Sequence, residues 1–336
     1  MVKVIVGMMG SSVGGGSSSM ATPDQVQEFL DCVKRHGIKE LDTARVYAGG
    51  KSEELLGQVN AHKQFAVSTK APAFSPNSLT EEKIIANCKA SLKALKQDKV
   101  DICRYSFMKR MLEESSRNRQ MLTMKDYLHG PDRATPLEEQ CRAIGKLHSE
   151  GKFERFGVSN ISPAEVQSIY DICKREGYPL PSVYQGGYNP LQRAGEPTLF
   201  PLLRKLKMNF YAYSPLAGGA LAKKIDDVLN PAPGTRFDAM KVFGNMYLKQ
   251  PHIDALATLK GQCDAEGIAT MEATMRWFLH HSPLVENDGV ILGASSTKQI
   301  DESLKACEKG PLPNGLAKAF EDLWAAVKDE STKYHA

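Results

Sequence analysis

The sequence has 336 residues, of which 42% are hydrophobic and 24% are charged, and its formal net charge at pH 7 is +4. This composition is typical of a globular protein long enough for one large barrel or two ordinary domains. The small net charge, without a Lys/Arg block interleaved with aromatic residues, argues against nucleic-acid binding. No apolar run approaches a membrane span of about 20 residues, and "MVKVIVGMMG" lacks a signal-peptide pattern, so we expect a cytoplasmic protein with no membrane partner.

The seven cysteines are scattered along the chain and form no C-x-x-C pair. An odd, dispersed set of cysteines favours reduced thiols packed in a core over a disulfide framework. The sequence analysis therefore predicts neither disulfides nor a metal site.

Short β-rich runs alternate with longer amphipathic segments along the chain. In chain order, strands are predicted at 2–8, 38–43, 65–70, within 100–132, and at 153–160, 182–187, 209–215 and 289–294. Helices are predicted at 24–37, 51–59, 80–96, 136–151, 162–177, 198–207, 271–281 and 298–308. Thr22 and Pro23 give the first of these helices an N-cap and a first-turn proline, and Gly37 ends it.

Eight strand–helix units in alternation imply parallel strands joined by right-handed crossovers. A doubly wound open sheet is the second alternative, but the glycine-rich run Gly7–Ser19 has neither G-x-G-x-x-G spacing nor a G-K-[ST] ending. We therefore predict an α/β fold, an eight-stranded parallel (β/α)8 TIM barrel, as a single domain over residues 1–336. Two stretches exceed a normal connection, one within 100–132 and one at Leu216–Gln250, which we interpret as a functional flap.

The active site of a β/α barrel lies at the carboxyl ends of its strands. Polar residues expected there are Asp42, Tyr47, Lys70, His129, Ser159, Asn160, Gln185, Tyr213 and Ser214. Taken singly, each has an ordinary structural explanation, such as a turn cap, a half-buried aromatic residue or a solvated lysine. Together, an acid, an amine and a phenol at one mouth can do chemistry, because a nearby positive charge favours phenolate and makes the phenol a proton donor near neutral pH.

Six motifs resemble the aldo-keto reductase superfamily, and most closely its aflatoxin-aldehyde reductase branch. They are "LDTARVYAGGKSEELLG", "STK", "YLHGPD", "GKFERFGVSN", "YQGGYNP" and "FYAYSPLAGG". The resemblance covers nearly the whole chain and implies a β/α barrel that binds NADPH and reduces aldehydes and ketones to alcohols.

The resemblance also implies roles for individual residues. Tyr47 would be the general acid, Lys70 would lower its pKa, Asp42 would hold Lys70, and His129 would orient the carbonyl and donate to its oxygen. Cofactor contacts are expected at Ser159, Asn160, Gln185, Tyr213, Ser214, Leu216 and Gly218, and, in "LGASSTKQIDES", at Gly293, Ser295, Gln299 and Glu302. Substrate contacts are expected at Met8 and Arg236, although Arg236 is equally well an ordinary solvated loop residue.

Two positions depart from the family pattern. Ser303 stands where the family commonly has Asn, and Lys298 is the single cation in the adenine-end motif, which has no arginine for a 2′-phosphate. NADPH rather than NADH is thus an expectation from the resemblance.

Removing Arg104–Asp126, 23 residues that we call the insert, joins the flanking chain as "VDICYLHGPD" and restores the family pattern. The insert carries +3 of the net charge and four of the thirteen methionines. If Val100–Ser106 forms the fourth strand, Ser106 replaces His129 at its end and Arg104 points inward. If Thr123–His129 forms it, the histidine is kept and Lys125 points inward. We favour the alternative in which Thr123–His129 forms the strand. A third alternative is that the insert is a translated intron.

The sequence thus predicts an NADPH-dependent reductase of aldehydes or ketones, acting in detoxification or secondary metabolism. It leaves the oligomeric state open, with a homodimer as one option. A second hypothesis is a catalytically weak NADPH-binding barrel that serves as a regulatory or assembly subunit. A third makes Lys70 a Schiff-base nucleophile in an aldolase-like barrel.

Overall fold

The computed structural model describes residues 2–9, 20–73, 75–105, 132–233, 236–239, 242–332 and 334–335. His129 and most of the glycine-rich run after the first strand therefore lie outside the described residues.

Eight parallel strands close into a barrel in which each strand pairs with its neighbours in sequence and the eighth pairs with the first. They are β1 (Lys3–Gly7), β2 (Glu40–Asp42), β3 (Ala66–Ala71), β4 (Val100–Tyr105), β5 (Phe153–Ser159), β6 (Pro181–Gly187), β7 (Asn209–Tyr213) and β8 (Gly289–Gly293). The order and parallel pairing confirm the predicted TIM barrel.

Helices surround the barrel. They are α1 (Pro23–Arg35), α2 (Lys51–Gln58), α3 (Glu81–Leu95), α4 (Leu137–Ser149), α5 (Pro163–Glu176), α6 (Leu199–Lys205), α7 (Ile225–Leu229), α8 (Arg236–Ala239), α9 (Val242–Tyr247), α10 (Gln250–Ala265), α11 (Thr270–His280), α12 (Thr297–Cys307) and α13 (Asn314–Val327). Thr22 is the N-cap of α1 and Pro23 lies in its first turn, as the sequence predicts, and the Gln25 side chain completes a capping box.

The core has two parts. The large cluster lies between the strands and the helices, and a smaller one is built by Ile5, Ile102, Val183, Tyr211 and Ile291. Those five side chains come from strands that are not all neighbours, so they can meet only inside the barrel. Ile102 of β4 therefore faces the barrel interior.

The expectation that Thr123–His129 supplies the fourth strand is wrong. The strand is Val100–Tyr105, with Thr69 opposite Cys103, Lys70 opposite Arg104 and Ala71 opposite Tyr105 on the β3 side. Only a short turn separates α3 from Val100, and closing it costs less entropy than the long loop that a later strand would need. Val100 and Ile102 are also fully buried, so this half of the sequence supplies the apolar contacts of the strand.

The predicted flap, Leu216–Gln250, contains three short helices, α7, α8 and α9, within its described parts. The seven thiols are free, as predicted, and all except half-buried Cys307 are buried. Among the described residues, no helix is both long and apolar enough to cross a bilayer.

Candidate active site

A buried lysine and aspartate meet at the carboxyl ends of β2 and β3. Lys70 Nζ lies 2.5 Å from Asp42 Oδ2 and donates to the Thr43 carbonyl oxygen at 2.8 Å. The two charged residues are only 4% and 3% exposed, and an ion pair at this depth is held by its geometry and its extra hydrogen bond. These contacts stabilise Lys70 as a charged ammonium. They argue against the hypothesis that Lys70 is a Schiff-base nucleophile, because such a nucleophile must be a neutral amine.

Tyr47 is brought onto this pair by the loop that follows β2. Its hydroxyl lies 3.4 Å from Lys70 Nζ, which is also 5.0 Å from the centroid of the tyrosine ring. Ala48 and Gly49, directly after it, have positive φ angles of 52° and 64°, and this tight turn leads into α2. The acid, amine and phenol that the sequence expected at one mouth are thus in contact.

Two residues in the first turn of α2, Ser52 and Glu53, stabilise the backbone around the ion pair. The sequence analysis gave them no role. Glu53 is fully buried and accepts from Thr69 Oγ1 at 2.6 Å and from Arg45 Nη1 at 2.8 Å. Ser52 Oγ lies 2.8 Å from Thr43 Oγ1. Since Thr43 and Thr69 flank Asp42 and Lys70 in sequence, these bonds fix the backbone that carries the ion pair.

Amide and hydroxyl groups line the mouth at the ends of β5, β6 and β7. Gln185 Nε2 donates to Asp42 Oδ1 at 3.2 Å, and Tyr213 donates its hydroxyl to Asn160 Oδ1 at 3.0 Å. Ser159 and Asn160 are buried. Burial raises the pKa of Tyr213 to about 12 despite the hydrogen bond to Asn160, so its ring stays neutral at physiological pH.

Four residues in the loop after β7 have positive φ angles: Ser214, Ala217, Gly218 and Gly219. Asn189 Nδ2 donates to the Ser214 carbonyl oxygen at 3.1 Å and holds the start of the loop. Gly218 has a φ of +70°, and a Cβ there would come within 2.9 Å of the Phe243 ring. This loop therefore needs glycine for both conformation and space.

The fourth part of the mouth follows β8. Gly293 is exposed, and a Cβ built on it meets no described atom within 4 Å. Gln299 Oε1 accepts from both the amide and the hydroxyl of Ser295, and Lys298 lies 3.9 Å from Glu302 on the exposed first turns of α12. The structure thus places these residues at one strand end, whereas Ser303 is buried and faces away from solvent.

These groups fit a nicotinamide cofactor. The hydroxyl and amide groups of Ser159, Asn160 and Gln185, at the ends of β5 and β6, suit a carboxamide. Tyr213 places a neutral aromatic ring at the end of β7. Gly293, at the end of β8, leaves open space where a side chain would otherwise stand.

Three expected site residues remain, two of which the structure does not describe. His129 and the side chain of Arg236 lie outside the described residues, so their roles stay predictions. Met8 is buried directly after β1, and its carbonyl oxygen accepts from Ser52 Oγ at 3.2 Å.

The sequence analysis gave no role to a buried polar network that links the flap to the mouth. Tyr247 of α9 donates to Gln192 Oε1 at 3.0 Å and accepts from Asn189 Nδ2 at 3.2 Å. Asn189 in the motif "YQGGYNP" and Gln192 directly after it were the signal, since polar residues among apolar ones between two strands need partners.

Comparisons with known proteins agree with this geometry. The aldo/keto reductase family model matches residues 3–325. Oxidoreductase sirO of Leptosphaeria maculans is 37% identical over 319 residues, which cover 93% of this chain and 89% of that protein. Aflatoxin B1 aldehyde reductase member 2 of Rattus norvegicus is 35% identical over 334 residues, covering 95% and 83%. Aldo-keto reductase family 7 member A3 of Homo sapiens is 36% identical over 314 residues, covering 89% and 88%.

The chain therefore belongs to the aldo/keto reductase family. Membership supports an enzyme, an oxidoreductase that acts on small carbonyl substrates with a nicotinamide cofactor.

Proposed function

We propose that this protein is a cytoplasmic, NADPH-dependent reductase that converts an aldehyde or ketone to an alcohol. The observation that carries the proposal is the contact of Lys70 with both Asp42 and Tyr47 at the barrel mouth. A lone lysine or tyrosine would have an ordinary structural explanation, whereas this buried arrangement of three groups is suited to proton transfer.

The three residues divide the work of donating one proton. Tyr47 gives its phenolic proton to the carbonyl oxygen of the substrate. Lys70 stabilises the phenolate that is left, because its ammonium lies beside the phenolic oxygen. Asp42 and the Thr43 carbonyl keep that ammonium charged and fixed in position. When bound, the nicotinamide cofactor supplies the hydride that reduces the carbonyl carbon.

The cofactor would be held around the mouth by residues from four strand ends. Ser159, Asn160 and Gln185 would bind the carboxamide, and Tyr213 would stack on the ring. Ser214, Leu216 and Gly218 would lie along the pyrophosphate, and Gly293, Ser295, Gln299 and Glu302 would contact the adenine end. The resemblance to the family is the basis for proposing NADPH over NADH, and the exposed Lys298 is the cation of this motif available to a 2′-phosphate.

The substrate would be a small carbonyl compound bound over Tyr47. Met8 and Arg236 would contact it, and His129 would donate to its oxygen. Two of the relatives bear names that refer to an aldehyde or to aldo-keto reduction. We therefore propose an aldehyde as the first substrate to test, with detoxification or secondary metabolism as the setting.

The direct test is oxidation of NADPH by the purified chain in the presence of a panel of aromatic and dicarbonyl aldehydes. We expect turnover with at least one aldehyde and a lower KM for NADPH than for NADH. Lys298→Ala should raise the KM for NADPH while leaving that for NADH unchanged, with Lys318→Ala, an exposed lysine on α13, as the matched control. Binding of NADPH without turnover of any aldehyde would contradict the reductase proposal.

One observation favours a second candidate, a catalytically weak barrel that binds NADPH as a regulatory or assembly subunit. The fourth strand is Val100–Tyr105, so the residues that end it come from the insert and not from the "YLHGPD" motif. If His129 does not reach the mouth, a hydrogen-bond donor to the substrate oxygen is lost, which costs about 10²–10³ in kcat. Binding without turnover, which contradicts the reductase, is the result that this candidate predicts.

A further inference from the structure

A second cluster of chemically reactive side chains joins α1 to α12. Cys32 and His36 lie four residues apart at the end of α1, and Asp301 and Glu308 come from α12 and the residue after it. None of the four belongs to the set that we propose for the cofactor or the substrate.

Three different ligand atoms converge in this cluster. Cys32 Sγ lies 3.6 Å from Asp301 Oδ1, and His36 Nε2 lies 2.9 Å from the same oxygen. The thiol, the ring nitrogen and the carboxylate oxygen are all within 4.8 Å of one another. Cys32 is fully buried, whereas the side chain of Asp301 is 29% exposed, so the cluster is open to solvent on one side.

The second nitrogen of the histidine is also fixed. His36 Nδ1 lies 2.6 Å from Glu308 Oε1, so this carboxylate orients the ring with Nε2 facing Cys32 and Asp301. A carboxylate that accepts from the far nitrogen of a histidine is the usual outer partner of a metal-bound imidazole. The contact of Glu308 with His36 therefore supports a metal site independently of the three converging atoms.

We propose that Cys32 Sγ, His36 Nε2 and Asp301 Oδ1 bind a zinc ion, with water as the fourth ligand. Tetrahedral zinc with Zn–N and Zn–O distances of about 2.0–2.1 Å and Zn–S of about 2.3 Å needs ligand atoms roughly 3.3–3.6 Å apart. The sulfur–oxygen distance already has this value, and the nitrogen–oxygen distance needs to open by only a few tenths of an ångström. A thiolate with an imidazole and one carboxylate is a donor set that suits zinc better than magnesium or calcium.

Zinc replaces two protons when it binds. The thiol proton of Cys32, which points at Asp301 Oδ1, and the proton on His36 Nε2, which faces the same oxygen, leave for solvent, and the sulfur and nitrogen lone pairs become metal ligands. Lys305 Nζ holds the other oxygen of Asp301 at 2.6 Å, which leaves Oδ1 for the metal.

The sequence gave little indication of this site. Cys32 and His36 form a C-x-x-x-H pair on one helix, but their carboxylate partner lies 269 residues further along the chain. Only closure of the barrel brings α1, which follows the first strand, next to α12, which follows the last.

The test uses cobalt, which enters zinc–thiolate sites and gives a charge-transfer absorption only when a thiolate is bound. The full-length chain, reduced and freed of metal by a chelator, is titrated with Co²⁺ and then with Zn²⁺. We expect one Co²⁺ per chain with a thiolate band that Zn²⁺ removes. Cys307→Ser, a half-buried thiol on α12, is the matched control and should keep the band.

Cys32→Ser should abolish the thiolate band, and His36→Gln and Asp301→Asn should each weaken Co²⁺ binding at least ten-fold. The last two variants change partly exposed side chains, so they test the site even if burial makes Cys32→Ser unstable. A wild-type chain without a saturable thiolate band, or a band that survives all three substitutions, overturns the proposal.

Discussion

The buried carboxylate of Asp132 ties the segment that follows the insert to the loop before α3. It accepts from the backbone amides of Asn77 and Leu79, both at 2.9 Å, and from Thr135 Oγ1 at 2.6 Å. Burial alone would raise the pKa of Asp132, but the hydrogen bonds from Thr135, Leu79 and Asn77 lower it below its ordinary value. This one side chain therefore fixes where the chain returns to the barrel.

Asp132→Ala should lower the free energy of unfolding by about 2–3 kcal/mol, because it leaves buried amide donors without an acceptor. The folded-state pKa is depressed, so this stabilisation is present above the unfolded-state pKa and is lost as the pH falls through the folded-state value. Urea unfolding at neutral and acid pH measures both effects. Asp322→Ala, an exposed aspartate on α13, is the control and should change stability by less than about 0.5 kcal/mol. An equal effect of the two substitutions would contradict this account.

The meeting of Asp42, Tyr47 and Lys70 could be predicted from the sequence because one geometric rule was enough. Because the carboxyl ends of parallel strands meet at one barrel mouth, the separate signals of Asp42, Tyr47 and Lys70 could be combined before any coordinates were known. The supporting contacts of Glu53 and Tyr247 could not be predicted, since they depend on how α2 and α9 pack.

At the scale of the elements, a charged network closes the amino-terminal end of the barrel, opposite the mouth. Arg155 of β5 pairs with Asp101 of β4 at 2.6 Å and lies 3.4 Å from Glu40 of β2. Glu40 also accepts from the hydroxyl of Tyr211 at 2.9 Å and from Lys3 Nζ at 3.2 Å. Burial raises the pKa of Glu40, but the charges of Lys3 and Arg155 outweigh this and lower it. The network joins five of the eight strands.

Glu40→Gln should lower the free energy of unfolding by about 2 kcal/mol, because it leaves Lys3 and Arg155 partly unpaired in a half-buried site. Cofactor binding at the opposite end should stay unchanged. Thermal unfolding with and without NADPH measures both. Glu176→Gln, which alters an exposed carboxylate at the end of α5, is the control. A loss of NADPH affinity in Glu40→Gln alone would show that the network acts on the mouth as well.

Most elements of the barrel were predicted from local signals, but two helices and the fourth strand were not. Capping residues fixed the start of α1, whereas α10, with both polar and apolar residues around its circumference, was missed. The helix α13 was also missed, although Leu316, Phe320, Leu323 and Val327 have helical spacing. The fourth strand was assigned to the wrong half of its region because motif continuity was weighed above the short connection from α3.

At the scale of the whole molecule, the insert is the main departure from an uninterrupted barrel. Ile102 faces the barrel interior, so the residues two and four positions further along the strand share that face. In a chain without Arg104–Asp126, those two positions are Tyr127 and His129. Tyr127 would then take the place opposite Lys70, and His129 would follow at the mouth.

If the insert keeps His129 from the mouth, the deletion of Arg104–Asp126 should fold and should raise kcat with an aldehyde by about 10²-fold or more, the usual effect of a donor to a developing oxyanion. Steady-state kinetics of the two chains measure this, and far-ultraviolet circular dichroism confirms folding. His129→Ala in the shortened chain is the control and should remove the gain. A folded deletion variant with unchanged turnover would show that the insert does not displace a catalytic histidine.

The central claim is that Tyr47 supplies the proton in a carbonyl reduction. Tyr47→Phe keeps the ring on Lys70 and removes only the hydroxyl, so single-turnover oxidation of bound NADPH by an aldehyde tests this claim most directly. We predict a rate lower by about 10²–10⁴-fold, the range of general acid catalysis, with an unchanged dissociation constant for NADPH. A variant that oxidises NADPH at the wild-type rate would contradict the account.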